Sequence, residues 1–440
     1  MALRAPRRWW TGPFDVENFA GTAVNRVRSA VAELAAAQRR DVVVETTPEL
    51  IAASFAAYEN QRIDGRAPAA WAELSGFFAA RDGWVRLHAN YPHHAAVIRE
   101  TFEISDRPGL ERALAHRDAA DIEEAITAAG GIAVVVHTSA HWESHPHALA
   151  TADEPWSAVR DRGGRAELSG PGSRRSHGGP NARGTEAIGG RARREVDLLR
   201  GVRVLDLTRV IAGPTGSQLL ACLGADVLRI DSPQRPELLA QHLSTGMGKR
   251  SAEIDLERDA DRARTLAAGA DVILEGYRPG ALTRYGLGAE ELEELAPQAI
   301  IVSLSAWGEN GPWGSRPGFD SIVQAATGIA TACGTGERPG ALPVQALDHA
   351  SGHLLAAHVL EALARSRAHT VRISLLGAAR ALLSASAPLQ EDPAALEIPR
   401  VRVDSSAGAL DVVPPPLLID GTTIERPVAA YGAAEARWLG

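Results

Sequence analysis

The sequence predicts an α/β fold organised around a parallel sheet, and three observations carry that prediction. Residues Gly201 to Asp231, GVRVLDLTRVIAGPTGSQLLACLGADVLRID, read as an apolar strand, a Gly-Pro turn, a helix and a second strand. The alternation returns further on, where the run Val272-Ile273-Leu274 is followed by a helical stretch over Glu290–Leu295. With 440 residues, 45% of them hydrophobic, the chain is long and apolar enough to bury two cores, so two domains are expected.

Each element of the first unit has a local reason. Val202, Val204, Leu205 and Leu207 form the buried-strand run, and Ala212-Gly213-Pro214 lets backbone approach whatever lies at the strand's carboxyl end. Ser217, Leu219, Leu220 and Leu223 make a helical stripe stopped by Gly224, and Val227 to Ile230 is the next parallel strand. Ligands of such sheets lie beyond the strand ends, so Val210–Thr215 is expected to line a site. Neither GxGxxG nor GxxxxGK[ST] occurs here, which removes most support for ordinary dinucleotide or P-loop binding.

Further segments narrow the reading. They are VLDLTRVIAGP at 204–214, LGADVLRID at 223–231, GKRSAEIDL at 248–256 and ADVILEGYRPGALTRYGLG at 270–288. After them come IIVSLSAWGENGPWGSRPGFDSIVQAATG at 300–328 and LPVQALDHASGHLLAAHVLEAL at 342–363. In order and spacing, over roughly 198–385, these resemble the family III CoA-transferases (CaiB/BaiF type), which include formyl-CoA and carnitine-type CoA-transferases and the 2-methylacyl-CoA racemases. The resemblance implies a Rossmann-like CoA-binding domain with a smaller α+β domain. It also implies acyl-CoA and a carboxylic acid as substrates, with no permanently bound cofactor and no metal.

Asp348 precedes the amphipathic stretch Leu354–Leu363, and its spacing alone suits a helix N-cap. The resemblance instead places it at the family's catalytic aspartate. A nucleophilic carboxylate would there pass through a mixed anhydride and an aspartyl-CoA thioester, held ionised by the helix N-terminus. By the same resemblance the CoA-contacting positions are Ile211, Ala212, Lys249, Ile254, Gly276, Tyr277, Arg284 and Ser305, with Arg284 toward the adenosine end. Lys249 is the only lysine among 46 basic residues. Beside a CoA pocket the Lys249-Arg250 pair could meet the phosphates; a solvated surface pair is the alternative. Arg278 and Arg284 likewise have a bland reading, as salt bridges to the acidic helix that follows.

Departures from the family pattern qualify the activity. Phe319 in Gly318-Phe319-Asp320 stands where the racemase branch has a histidine, and phenylalanine cannot carry a proton. Ile211 replaces a glutamine of the formyl-CoA-transferase-like members, and no clear counterpart of the glycine-rich covering loop precedes Asp82-Gly83. The turn after the catalytic helix is replaced by Arg365–Thr370. A catalytically silent CoA-binding or scaffold homologue is therefore the rival reading, and a racemase the third.

The order of parts is also unusual. Residues 81–147 look like the family's small domain, which normally follows the large one, and 41–58 parallels 369–386 as a β run entering an Ala-rich helix. The expected organisation is a helical lead-in over 1–40, a small-domain-like module over 41–156 and a Gly/Arg/Ser-rich flexible linker over 157–197. The Rossmann-like domain then covers 198–395, and a tail over 396–440 packs back on both. By resemblance the chain is a homodimer, interlocked if two copies exchange these parts.

Composition excludes other classes. A net charge of −8 and a linker without interleaved aromatics argue against nucleic acid. No apolar run approaches the length of a membrane span, and the Arg/Trp-rich start lacks a signal-peptide core, so a cytoplasmic protein is expected. Cys222 and Cys333, both in apolar contexts, read as buried free thiols. His88, His93, His94, His137, His141, His145 and His147 cluster in the small-domain region, and the HWESHPH run could in principle hold a metal, but Pro146 interrupts the helix that this spacing would need, so a structural role or a substrate-side contact is the preferred reading. Trp307, Trp313 and Phe319 read equally as a roomy acyl pocket or as core.

Overall fold

A computed structural model describes residues 8–69, 71–164, 197–385, 388 and 391–439. The chain opens with helix α1 (Val16–Ala37), N-capped by Asp15 and buried along Phe19, Val24, Val27, Val31 and Leu34. A three-stranded antiparallel sheet follows, β1 (Gly76–Ala79), β2 (Trp84–Leu87) and β3 (Ala133–Val135). Helices α2 (Pro92–Phe102), α3 (Arg107–Leu114) and α4 (Ala119–Ala128) cover it. This module has its own core of Phe78, Val85, Leu87, Ile98, Leu110, Ile122 and Ile126.

The second unit is a seven-stranded sheet. Its strands are β4 (Ser157–Gly164), β5 (Arg203–Leu207), β6 (Asp226–Asp231), β7 (Arg250–Glu253), β8 (Val272–Glu275), β9 (Ile300–Ser305) and β10 (Arg367–Ser374). The spatial order is β4-β10-β9-β8-β5-β6-β7, with every pair parallel except β4 on β10. Counted from β5, the six parallel strands run 3-2-1-4-5-6, the order of a doubly wound nucleotide-binding sheet. The direction of winding reverses between β5 and β8. Helices α5 (Ala212–Cys222) and α6 (Leu256–Ala268) follow β5 and β7. Helices α7 (Ala289–Leu295), α8 (Asp320–Ala326), α9 (Ala346–Ala364) and α10 (Leu375–Leu383) complete the unit.

Helix α9 is the axis of the large core. All of its residues but Glu361 and Ala364 are buried, the polar Asp348, His349, Ser351, His353 and His358 included, and α1 and α5 pack along it. Its approach to α5 depends on two glycines. A Cβ on Gly352 would lie 2.2 Å from the Ala212 carbonyl oxygen, and one on Gly216 would lie 2.7 Å from the Gly352 carbonyl oxygen. This contact sets the height of the α9 N-terminus above the β5–α5 loop.

Three expectations about organisation are corrected. The first eight residues of the expected linker form β4, which runs antiparallel to β10 and closes that edge of the sheet; residues 165–196 lie outside the described residues. Val44–Glu45 and Arg62–Ile63, expected within the small module, pair instead with Leu418–Ile419 and Leu410–Asp411 of the tail. The stretch beginning at Leu354 is the later part of a helix that already starts at Ala346. Of the thiols, Cys222 is buried but Cys333 is half-buried. Residues 1–7 of the Arg/Trp-rich start also lie outside the described residues. No helix among the described residues is long and apolar enough to cross a membrane.

Candidate functional site

A cleft of about 680 Å³ opens at the carboxyl ends of the parallel strands, where the winding reverses. Its walls are the loop Thr208–Gly213 after β5, Ser232, Gln234 and Arg235 after β6, and Asp255–Glu257 after β7. Residues Gly276–Tyr285 after β8, Ser305 and Ala306 after β9, and Asp348 complete this side. The small module closes the opposite side with Tyr91, His93, His94 and Ile132.

Of the nine expected site residues, Ala212, Gly276, Tyr277, Arg284, Ser305 and Asp348 line this cleft. Ile211 sits half-buried between the lining residues Val210 and Ala212. The other two do not face it. Ile254 belongs to the core on the sheet's other face, with Leu228, Ile230 and Ala263. Lys249 is 3% exposed and lies behind the first loop, its Nζ 2.9 Å from the Pro214 carbonyl oxygen and 3.4 Å from Asp206 Oδ2. It is thus neither a phosphate ligand nor a solvated cation.

That buried pair belongs to the foundation of the loop. Asp206 also accepts from Thr208 N at 2.9 Å, from the Thr208 hydroxyl at 2.5 Å and from the Ser217 hydroxyl at 2.5 Å. Burial alone would raise its pKa, but Lys249, Arg229 and the two hydroxyls outweigh burial and hold it below the usual range. Burial brings Lys249 down to about 8 even with Asp206 opposing, so the pair is mostly ionised at neutral pH. Gly213 is obligatory here, because a Cβ would fall 2.2 Å from Thr208 Cβ.

A second buried network fixes the loop from the other side. Arg229 binds Asp231 at 2.8 Å and Glu237 at 3.0 Å, and Glu237 accepts from Val210 N at 3.0 Å and from the Tyr91 hydroxyl at 2.5 Å. Val210 has φ of +69°, a left-handed conformation that is costly for a β-branched residue. Its N–H is held by Glu237, and its carbonyl accepts from Gln241 Nε2 at 2.8 Å. The strain is thereby fixed at the edge of the cleft, and the same glutamate ties the small module to the loop.

Asp348 lies in the first turn of α9, but it is not the cap. The N-cap is Gln345, whose side chain makes no capping bond. Asp320, at the start of α8, does that work from outside the helix: its Oδ2 accepts from Asp348 N at 3.0 Å. Asp320 is in turn bonded by Gln324 Nε2, and Gln324 Oε1 accepts from Leu342 N at 2.9 Å. The Asp348 carboxyl itself takes no hydrogen bond from any described residue, although the residue is only 6% exposed. Burial first and the Asp320 charge second push its pKa well above the usual carboxylate range, and burial pushes Asp320 up to about 6. The expectation that the helix terminus keeps Asp348 ionised is corrected: desolvation and a like charge dominate.

At the open end of the cleft Arg284 pairs with Glu257 at 2.5 Å and stacks over the Tyr285 ring at 4.5 Å. Its partner is on α6, not on the acidic helix expected from the sequence. Trp307 is fully buried and packs with Trp142 and Trp313, so of the three aromatics only Phe319 lines the cleft. The ring of His88, from the small module, stacks on Phe319 at 3.7 Å. The sequence singled out His93 and His94 only as members of a histidine cluster with a structural or substrate-side role, and it gave no role to Asp320, Glu237 or Tyr91. For Asp320 the Gly-Phe-Asp segment itself was a signal; the others depend on packing between distant segments.

Comparison with known proteins finds similarity over part of the chain. Residues 199–408 match CoA-transferase family III. The match takes in a little under half of the chain. A probable fatty acyl-CoA transferase of Mycobacterium tuberculosis is 41% identical over 181 residues, 38% of this chain and 46% of its own. The succinyl-CoA:glutarate CoA-transferase of Mus musculus is 36% identical over 145 residues, 30% of this chain and 33% of its own. The chain thus spans less than half the length of these relatives. Among solved structures, a CAIB/BAIF family protein of Brucella suis is 26% identical with a TM-score of 0.38, covering 48% of this chain and 64% of its own.

Proposed function

We propose that the protein moves CoA from an acyl-CoA thioester to a carboxylic acid, with Asp348 as the covalent carrier. The observation that supports this reading is the Asp348 carboxyl, buried in the cleft wall at the winding reversal and bonded by no described residue. A carboxylate serving only a structural role in such a place would be expected to have its oxygens satisfied. In this reading the nucleotide lies toward Arg284, and the pantetheine arm passes Gly276, Tyr277 and Ser305 and the loop Ile211-Ala212.

The ionised Asp348 attacks the thioester carbonyl carbon, the carbonyl π pair moves to oxygen, and collapse expels CoA thiolate to leave a mixed anhydride. The thiolate attacks the aspartyl carbonyl, releasing the donor acid and leaving an aspartyl-CoA thioester. The acceptor carboxylate then reverses both steps and frees Asp348. A homodimer in the cytoplasm completes the proposal. A solution mass equal to one chain, with full activity, would count against the dimer.

The test is intact-protein mass spectrometry after incubation with a panel of acyl-CoA thioesters, comparing the parent with Asp348→Ala. A CoA or acyl adduct in the parent alone supports the carrier. Tight CoA binding with no adduct from any thioester favours the silent CoA-binding homologue instead.

A further inference from the structure

The small module places an imidazole in the cleft for which the reading above has no use. Tyr91-Pro92-His93-His94 forms the N-terminal turn of α2, and both histidines line the cavity that Asp348 lines. The turn is held there by the bond from Tyr91 to Glu237. The His94 ring lies 6.1 Å, edge-on, from that of Phe319. The residue after Phe319 is Asp320, whose carboxylate takes the Asp348 amide. His94 therefore packs beside the segment that positions the reactive carboxyl and lines the same cavity.

The two ring nitrogens of His94 have different surroundings. Among the described residues Nδ1 is buried without a hydrogen-bond partner, whereas Nε2 is neither buried nor bonded to any of them, although the residue is half-buried at the cavity wall. Burial, with His93, Arg235 and Arg209 nearby, brings the ring's pKa down to about 4, so it is neutral at physiological pH and carries one proton. A buried unpartnered N–H is costlier than a buried unpartnered lone pair, which leaves Nδ1 as the bare nitrogen. The proton is then on Nε2, the atom open to the cleft.

We propose that His94 donates its Nε2–H to the carbonyl oxygen of the bound acyl thioester, and so stabilises the oxyanion that forms when Asp348 attacks. This rests on Asp348 being the carrier. As the Asp348 oxygen bonds to the acyl carbon, the carbonyl π pair becomes a lone pair on oxygen. The hydrogen bond from Nε2–H shortens onto that charge without transferring its proton, and on collapse the oxygen lone pair re-forms the carbonyl π bond while the C–S bonding pair leaves on the CoA thiolate. A neutral donor suits the position, since an imidazolium would favour ground-state carboxylates as strongly as the transition state.

The test uses the full chain and two substitutions, His94→Phe, which keeps a flat ring without a donor, and His94→Gln, whose amide Nε2–H reaches a similar place. Adduct formation with acetyl-CoA, succinyl-CoA and palmitoyl-CoA is followed in single turnover by intact mass, and the Kd for CoA by calorimetry. His94→Phe is expected to slow adduct formation on the order of 10²–10³-fold with the Kd unchanged, and His94→Gln to recover most of that loss. Adduct formation at the parent rate in His94→Phe overturns the proposal. So does equal slowing in both variants, which would mark a packing role. Absence of any adduct in the parent would remove the carrier reading itself, and this proposal with it.

Discussion

Lys249→Ala separates a structural lysine from a ligand-binding one, because the two roles predict opposite measurements. The lysine is fully buried, and its loss leaves Asp206 without its adjacent cation and the Pro214 carbonyl oxygen without its donor. Thr208 and Ser217 still bond Asp206, but as neutral groups. Removing one partner of a buried pair costs about 3–5 kcal/mol, because the remaining charge stays in a medium that solvates it poorly. Urea unfolding followed by tryptophan fluorescence is therefore expected to show a markedly lower midpoint, while the Kd for CoA under folding conditions stays within about threefold of the parent, less than 1 kcal/mol. A phosphate ligand would behave in reverse, losing about 1.5–3 kcal/mol of affinity, roughly 10–150-fold, with an unmoved midpoint. That second pattern would refute the assignment. Combining Lys249→Met with Asp206→Asn removes both charges and is expected to recover most of the lost stability.

Asp348→Asn is expected to abolish the covalent adduct and to raise Tm at alkaline pH. The folded-state pKa of Asp348 is raised, so its contribution is fully present below the unfolded pKa and is lost as pH rises through the folded value. A variant whose Tm between pH 5 and about 9 stays parallel to the parent's would contradict this. Gly352→Ala drives a Cβ to within 2.2 Å of the Ala212 carbonyl oxygen and is expected to cost at least about 1–3 kcal/mol, read as a lower urea midpoint. Tyr91→Phe removes a hydrogen bond to a buried carboxylate and is expected to raise amide hydrogen exchange over residues 84–102 while leaving exchange in β5 unchanged.

The parallel sheet was legible in the sequence because β5, β6, β8 and β9 carry short apolar runs between turn residues, and the β5–α5 loop followed from Gly213 and Pro214. Asp348 was legible only through resemblance. Its spacing pointed to a cap, and the structure gives that work to Asp320, 28 positions earlier, because the capping donor and acceptor belong to different helices. Lys249 was misjudged because a sequence shows that a residue is charged but not to which side of a loop it points; burial with Asp206 depends on the register of β7 against β6. Ser157–Gly164 was hidden by its composition. An edge strand with one half-exposed face has no need of apolar alternation, and its pairing is supplied by β10, more than two hundred residues later.

The two carboxyls also carry an argument about rate. A carboxylate becomes a better nucleophile as its pKa rises, and raising the pKa costs nothing in ionised fraction until it nears the working pH, so the most effective value lies near that pH. Asp320 contributes to this tuning, since its charge is the second cause of the elevation at Asp348. Asp320→Asn keeps an oxygen for the Asp348 amide and removes the charge, at the loss of the bond from Gln324 Nε2, so the hold on the start of α9 is kept while the pKa of Asp348 falls. The variant is expected to outpace the parent at acidic pH, where more of its Asp348 is ionised, and to lag behind it at alkaline pH, where both are ionised and the parent is the stronger nucleophile. Single-turnover adduct formation across pH 5 to about 9 reads both limbs, and the profiles are expected to cross. Uniform loss of rate at every pH would mean that Asp320 acts only by holding the helix in place, and that the carboxyl pair has no part in setting the nucleophile's strength.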